Sequence, residues 1–153
     1  MQRYKEELLK RSSDIPYYNF TTQWSVKTLR QDKITWSRLS NKVKFCLLNK
    51  EKTTTEPFII KRNVSLFYLL GVLNSDLITK YIECSVPKRN GNSKDFRLRF
   101  IEQIPIPSPD TVRQEELAAR IADTAEIIHY ANKREPGMKV DSLMKQINEA
   151  VYE

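Results

Sequence analysis

The stretch Leu66 to Ile82, LFYLLGVLNSDLITKYI, constrains this chain more than any other. It is the most apolar segment present, and it is interrupted once, at Asn74-Ser75. Leu66, Leu69, Leu70 and Leu73 recur at helical spacing, and Leu77, Ile78, Tyr81 and Ile82 resume that spacing after the interruption. Asn74 can end one helix, and Asn74 or Ser75 can cap the next. The pattern predicts a broken helix buried along one face. Downstream, Ile104-Pro105-Ile106-Pro107 puts prolines at alternate positions. Each proline lacks an N–H and biases the residue before it toward an extended state. The chain is therefore expected to leave its core as a stiff extended segment and to start a new element near Asp110.

What surrounds the broken helix reads as a small sheet and a helical tail. Gln2 to Ser12 predicts a short amphipathic helix with Tyr4, Leu8 and Leu9 inward, ended by Asp14-Ile15-Pro16. Tyr17, Tyr18, Phe20 and Trp24 form an aromatic cluster in a loop, and core packing is the simpler use for it than base stacking. Lys33 to Arg38 alternates, with Ile34 and Trp36 (and Arg38 if the alternation continues) on one face, and Lys33, Thr35 and Ser37 on the other. Ser40-Asn41-Lys42 reads as a turn, Val43–Leu48 as a second strand, Lys50–Glu56 as a polar loop and Pro57–Lys61 as a third strand. Short connections imply antiparallel pairing.

Asp95 to Ile101, DFRLRFI, alternates cleanly and predicts a half-buried strand: Phe96, Leu98 and Phe100 inward, Asp95, Arg97 and Arg99 outward. Asp110–Lys133 predicts a long helix capped by Asp110 or Thr111, with Leu117, Ile121, Ala125 and Ile128 as its apolar stripe. Pro136-Gly137 reads as a turn, and Val140–Tyr152 as a second helix with Leu143, Ile147, Ala150 and Val151 inward. The predicted fold is α+β: a small, mainly antiparallel sheet packed with a broken helix, followed by a C-terminal helical hairpin. The division expected is a core over residues 1–108 and the hairpin over 109–153.

Composition narrows the function. At 153 residues there is room for one domain with a true core. No apolar run reaches the roughly 18 residues of a membrane span, and MQRYKEELLKR carries no signal-like apolar region, so a cytoplasmic protein is expected. Cys46, Cys84 and a lone His129 share no metal-ligand spacing, and the cysteines read as two buried thiols. Charge is divided. Residues 1–100 hold 20 Lys and Arg against 9 Asp and Glu, whereas residues 101–153 hold 6 against 10. A basic body with an acidic tail assigns contact with a polyanion to the body.

Catalysis finds no support in the residues. The three glycines are scattered, and no Asn-Pro-Pro-aromatic signature is present. Glu56 with Lys61, and Asp110 with Glu115, are poor imitations of a metal-dependent nuclease site and read more simply as loop charges and a helix cap. Binding is better supported. Lys88, Arg89, Lys94, Arg97 and Arg99 set five cations against one carboxylate, Asp95, within twelve residues. Arginine makes bidentate contacts to guanine and asparagine to adenine, while lysine chiefly holds phosphates. Asn90 and Asn92 supply the amides on the adjoining turn, and Arg38, Asn41, Lys42 and Lys44 form a second, weaker patch. The bland alternative is a strand face kept soluble by its charges.

The pairing of LLGVLNS with a basic stretch that runs into IPIP resembles the C-terminal specificity domain of type IIG restriction-modification enzymes and related adenine DNA methyltransferases, the TaqI-like target-recognition family. YKEELLKR (Tyr4–Arg11) resembles the helix that opens such domains, and DKITWSRLS (Asp32–Ser40) the strand that follows. INEAVYE (Ile147–Glu153) resembles the start of a closing helix that usually continues to a Tyr-Gly-Leu ending, which this chain does not reach. The resemblance implies sequence-specific binding of double-stranded DNA, with a role for Lys94, Asp95, Arg97 and Arg99. It also implies a non-catalytic chain whose partners are methyltransferase or nuclease domains that carry S-adenosylmethionine and, for cleavage, Mg. Two other readings stay open. One is half of a type I specificity subunit, for which a second recognition module has no room here. The other is an interaction module that binds a partner protein through Asp110–Tyr152.

Overall fold

The computed structural model describes residues 30–60, 64–89 and 93–153, so the predicted helix at Gln2–Ser12, the aromatic cluster near Tyr17, and Asn90 and Asn92 lie outside the described residues. The described chain is α+β. A three-stranded antiparallel sheet has β1 (Lys33–Trp36) at its centre, flanked by β3 (Phe45–Leu48) and β4 (Phe58–Ile60). Register runs from Lys33 opposite Leu48 to Trp36 opposite Phe45 on one side, and from Lys33 opposite Ile60 to Thr35 opposite Phe58 on the other. A second, two-stranded antiparallel ladder joins β2 (Leu39–Ser40) to β5 (Lys94–Asp95).

The apolar segment folds as two helices, α1 (Leu66–Leu73) and α2 (Asp76–Ser85). The break between them is built by Asn74 and Ser75. The Asn74 side chain accepts from the Phe45 amide (3.1 Å) and donates to the carbonyls of Phe45 (3.0 Å) and Leu70 (2.9 Å). It thereby stands in for a neighbouring strand residue at the edge of β3 while closing the end of α1. Ser75, fully buried, caps α2: its Oγ accepts from the Ile78 amide (3.4 Å) and donates to the Val72 carbonyl (2.7 Å). The proline segment is tied back onto α1, because the buried Tyr68 hydroxyl donates to the Pro107 carbonyl at 2.9 Å. Ile104 is buried in the same core.

The tail is a helical hairpin of α4 (Val112–Arg134) and α5 (Asp141–Tyr152). Thr111 caps α4 through a capping box with Gln114. Gly137, at φ +95°, supplies the left-handed residue of the connecting turn. Ile121, Ala125, Ile147 and Ala150 are buried in the same cluster as Ile34, Trp36 and Phe45 of the sheet, so the hairpin packs on the body. Gly71 sits where α1 meets α4: a Cβ built there comes within 2.6 Å of Ile121 Cγ2. The Asn148 side chain fastens α5 to the start of α2 through two 2.9 Å hydrogen bonds with Asp76.

Three sequence expectations are corrected. Lys33, placed by alternation on an outward face, is fully buried. It lies in the central strand, where its ammonium donates to the Lys52 carbonyl (3.0 Å) and sits 5.9 Å from the Phe58 ring centroid, and burial lowers its pKa. Cys46 and Cys84 are exposed rather than buried. The predicted strand over Asp95–Ile101 ends after Asp95: α3 (Leu98–Ile101) is a single helical turn with Arg97 at its N-cap. The partner strand β2 is only two residues long, so the ladder has nothing to continue along. Beyond it the backbone closes helical hydrogen bonds, with the Glu102 amide donating to the Leu98 carbonyl at 2.9 Å. Arg97 and Arg99 consequently do not share one strand face.

Candidate nucleic-acid interface

The basic window is held by backbone at several points. Leu39 pairs with Asp95 and Ser40 with Lys94, while Lys88 bridges to Lys94 on the other side. The Arg89 amide donates to the Ser93 carbonyl at 2.9 Å. Phe96, 1% exposed, donates its amide to the Arg38 carbonyl (2.8 Å), and its own carbonyl accepts from the Trp36 indole (2.8 Å). A buried tryptophan N–H needs a partner, and here that requirement pins the backbone between Asp95 and Arg97.

Three guanidiniums converge on the Asp95 carboxylate at this clamp. Arg38 donates side-on, Nε to Oδ1 at 2.8 Å and Nη2 to Oδ2 at 3.3 Å. Arg97 donates from Nε to Oδ2 at 2.8 Å, and Arg89 Nη1 stands 3.5 Å from the same oxygen. The arginine side chains are 46–52% exposed and that of Asp95 is 12% exposed. The cluster is a floor of one carboxylate under a positively charged, solvent-facing surface. Glu56 contributes from outside it by accepting from the Arg38 amide at 2.9 Å. The hydrogen bonds from Arg38, joined by those from Arg97 and the nearby positive charge, hold the Asp95 carboxyl far below the usual carboxylate range. The same partner raises the pKa of Arg38.

That depression sets a pH signature. An unfolded aspartate titrates near a pKa of about 3.9. The stabilisation from ionised Asp95 is therefore complete above about pH 4 and is lost as pH falls toward the folded pKa. Asp95→Asn imitates the protonated state. Wild type should be the more stable of the two at neutral pH, and the gap should shrink progressively below about pH 4 in urea melts. A gap that stays constant between pH 7 and pH 3 would show that the ion cluster is not the source.

The other sequence candidates separate into distinct places. Lys94 is 8% exposed and turned inward, its ammonium donating to the Glu83 carbonyl in the last turn of α2. A lysine there complements the helix C-terminus, so it holds β5 to α2 rather than meeting solvent. Lys88 is exposed. Arg99 is exposed on α3, its guanidinium 4.7 Å from the Phe100 ring centroid. Arg38, assigned by sequence to the weaker patch, belongs to the Asp95 cluster. Asn41, Lys42 and Lys44 are exposed, and the two lysines line a groove of about 600 Å³ between β3 and the hairpin, together with His129 and Lys133. Reading the sequence placed Phe96 inward, where it is buried, but missed the Trp36 indole and Glu56 as supports. Trp36 carried a usable signal, since an indole in an inward strand position must find an acceptor.

The family model of the TaqI-like C-terminal specificity domain matches residues 2–106. That span holds both sheets, the broken helix, the Asp95 cluster and the first proline of the IPIP segment. The chain belongs to this family. Within the TaqI-like domain, LNS and IPIP build the scaffold: Asn74 and Ser75 shape the helix break, and the proline segment closes onto Tyr68. The basic stretch between them carries the exposed Arg89, Arg97 and Arg99. No curated protein matches the chain. Among the described residues, no helix is long and apolar enough to cross a membrane.

Proposed function

We propose that this domain reads the sequence of double-stranded DNA for a restriction-modification enzyme or adenine-specific DNA methyltransferase of the type IIG kind, with catalysis carried by other domains. The observation that carries the reading is the convergence of Arg38, Arg89 and Arg97 on Asp95, on an exposed face of a specificity-domain fold. One internal carboxylate cannot neutralise three guanidiniums, so the surface retains net positive charge suited to phosphates. Lys88, Arg89 and Arg99 are exposed beside it. The acidic hairpin suits a protein neighbour better than a phosphate backbone. Its exposed Val112, Ile127 and Tyr130 fit a role against the parent's catalytic domain.

S-adenosylmethionine and Mg belong, in this reading, to those other domains. The described glycines are already used structurally: Gly71 is packed against Ile121, and Gly137 forms the hairpin turn, so neither sits in a loop that cradles a nucleotide.

Fluorescence anisotropy on labelled duplexes tests the proposal. The chain should bind duplex with an affinity that falls as salt rises, and should prefer some sequences over others. Lys88→Ala should weaken all sequences alike and reduce the salt slope by about one unit. Binding that is absent at low salt, or indifferent to sequence throughout a randomised pool, would defeat the reading.

A further inference from the structure

We infer that Arg97 is the residue of the cluster that selects a guanine, and that Asp95 is its positioning residue; this rests on the DNA-reading role proposed above. The four exposed arginines of the region are engaged differently. Arg38 spends both Nε and Nη2 on Asp95, and its backbone is held by Glu56. Arg89 turns a terminal nitrogen, Nη1, toward Asp95. Arg99 lies against Phe100. Arg97 is engaged through Nε, and its two terminal nitrogens make no hydrogen bond or ion pair with any other described residue.

That difference matters for chemistry. A guanine presents O6 and N7 side by side in the major groove and accepts from the two terminal nitrogens of one planar guanidinium. A carboxylate on Nε fixes the plane and leaves that end of the fork pointing away. The backbone beneath is equally constrained. The Arg97 amide donates to the Asp95 carbonyl (2.9 Å), and its carbonyl accepts from the Phe100 amide (2.9 Å). The preceding Phe96 is clamped on both sides by Arg38 and Trp36. A donor fork held at base and stem loses little freedom on binding, which is what base reading requires and phosphate contact does not.

The test is a binding selection on randomised duplexes with the full 153-residue chain, wild type beside Arg97→Lys, Arg97→Ala and Asp95→Asn, each first checked for native circular dichroism. Wild type should enrich a motif with a guanine at one position. Arg97→Lys keeps the charge but not the fork, so it should lose that guanine, by about 5- to 150-fold in relative preference, while keeping the other positions and the salt slope. Should Arg97→Ala fail to fold, Arg97→Lys alone carries the comparison. Asp95→Asn should blur the same position without weakening binding to unrelated duplexes, because it removes a negative charge. A merely structural role for Asp95 would instead lower affinity for every sequence. If both Arg97 variants return the wild-type motif with the guanine intact, Arg97 is not the reader and the inference falls while the DNA-reading role stands. If wild type enriches no motif at all, the proposed function falls, and the inference with it.

Discussion

Asn74→Leu should unfold at a much lower urea concentration than wild type, with a loss of about 3–5 kcal/mol. The substitution keeps the side-chain size and removes three hydrogen bonds, two of them to the backbone of Phe45, a residue 4% exposed. Leaving the Phe45 amide and carbonyl without partners costs about 1–3 kcal/mol for each group that water cannot reach, whereas the Leu70 carbonyl still accepts from the backbone amide of residue 74 at 3.2 Å. A domain this size holds only about 5–15 kcal/mol in reserve. The loss should also be local in origin: β3 loses its edge partner, so amide exchange at Phe45 should accelerate first. A midpoint within about 0.5 kcal/mol of wild type would mean that water replaces the Asn74 amide and that the break does not depend on it.

Gly71→Val should cost about 3 kcal/mol, and Gly71→Ala about 1 kcal/mol after the better helix propensity of alanine is counted. The cause is contact between helices rather than backbone freedom. Gly71 lies within α1, and a Cβ there meets Ile121 Cγ2 at 2.6 Å and Ala125 Cβ at 3.4 Å. Ile121 is 4% exposed, and its Cγ2 is anchored next to the α4 backbone, so it has little room to yield. A double-mutant cycle identifies the contact: Gly71→Ala should cost less in an Ile121→Ala background, with coupling of about 1 kcal/mol or more. Additive losses would show that the two helices adjust independently. Because α1 and α4 share this contact, the variant should also loosen the hairpin, which thermal melts followed by near-ultraviolet circular dichroism would detect.

The elements that read correctly from sequence are those whose pattern repeats. The two turns of leucines in α1, the stripe Leu117, Ile121 and Ala125 in α4, and the caps at Ser75 and Thr111 are local signals, and each carries its own physical cause. Asp95–Ile101 shows the opposite. Its alternation satisfies a strand, but Leu98 and Ile101 also satisfy one helical turn at a spacing of three. Seven residues cannot decide between the two, and the choice fell to whether a partner strand exists. Lys33 failed for a related reason. Alternation states which residues share a face, but not whether the second face is covered, and the chain around Lys52 and Phe58 covers it.

The sequence by itself therefore determined the class of fold, the broken helix, the hairpin and the division into a basic body and an acidic tail. These follow from periodicity, caps and charge counts that need no knowledge of distant neighbours. It also named the residue types able to meet DNA. Only the tertiary structure decided how they are deployed. It turned Lys94 inward to the end of α2, brought Arg38 across 57 positions to Asp95, and left Arg97 held by Nε alone. The reason is that a charge's role depends on the partner that reaches it. Here the partners are set by pairing β2 with β5 and by the Trp36 indole locking Phe96, contacts between segments far apart in the chain.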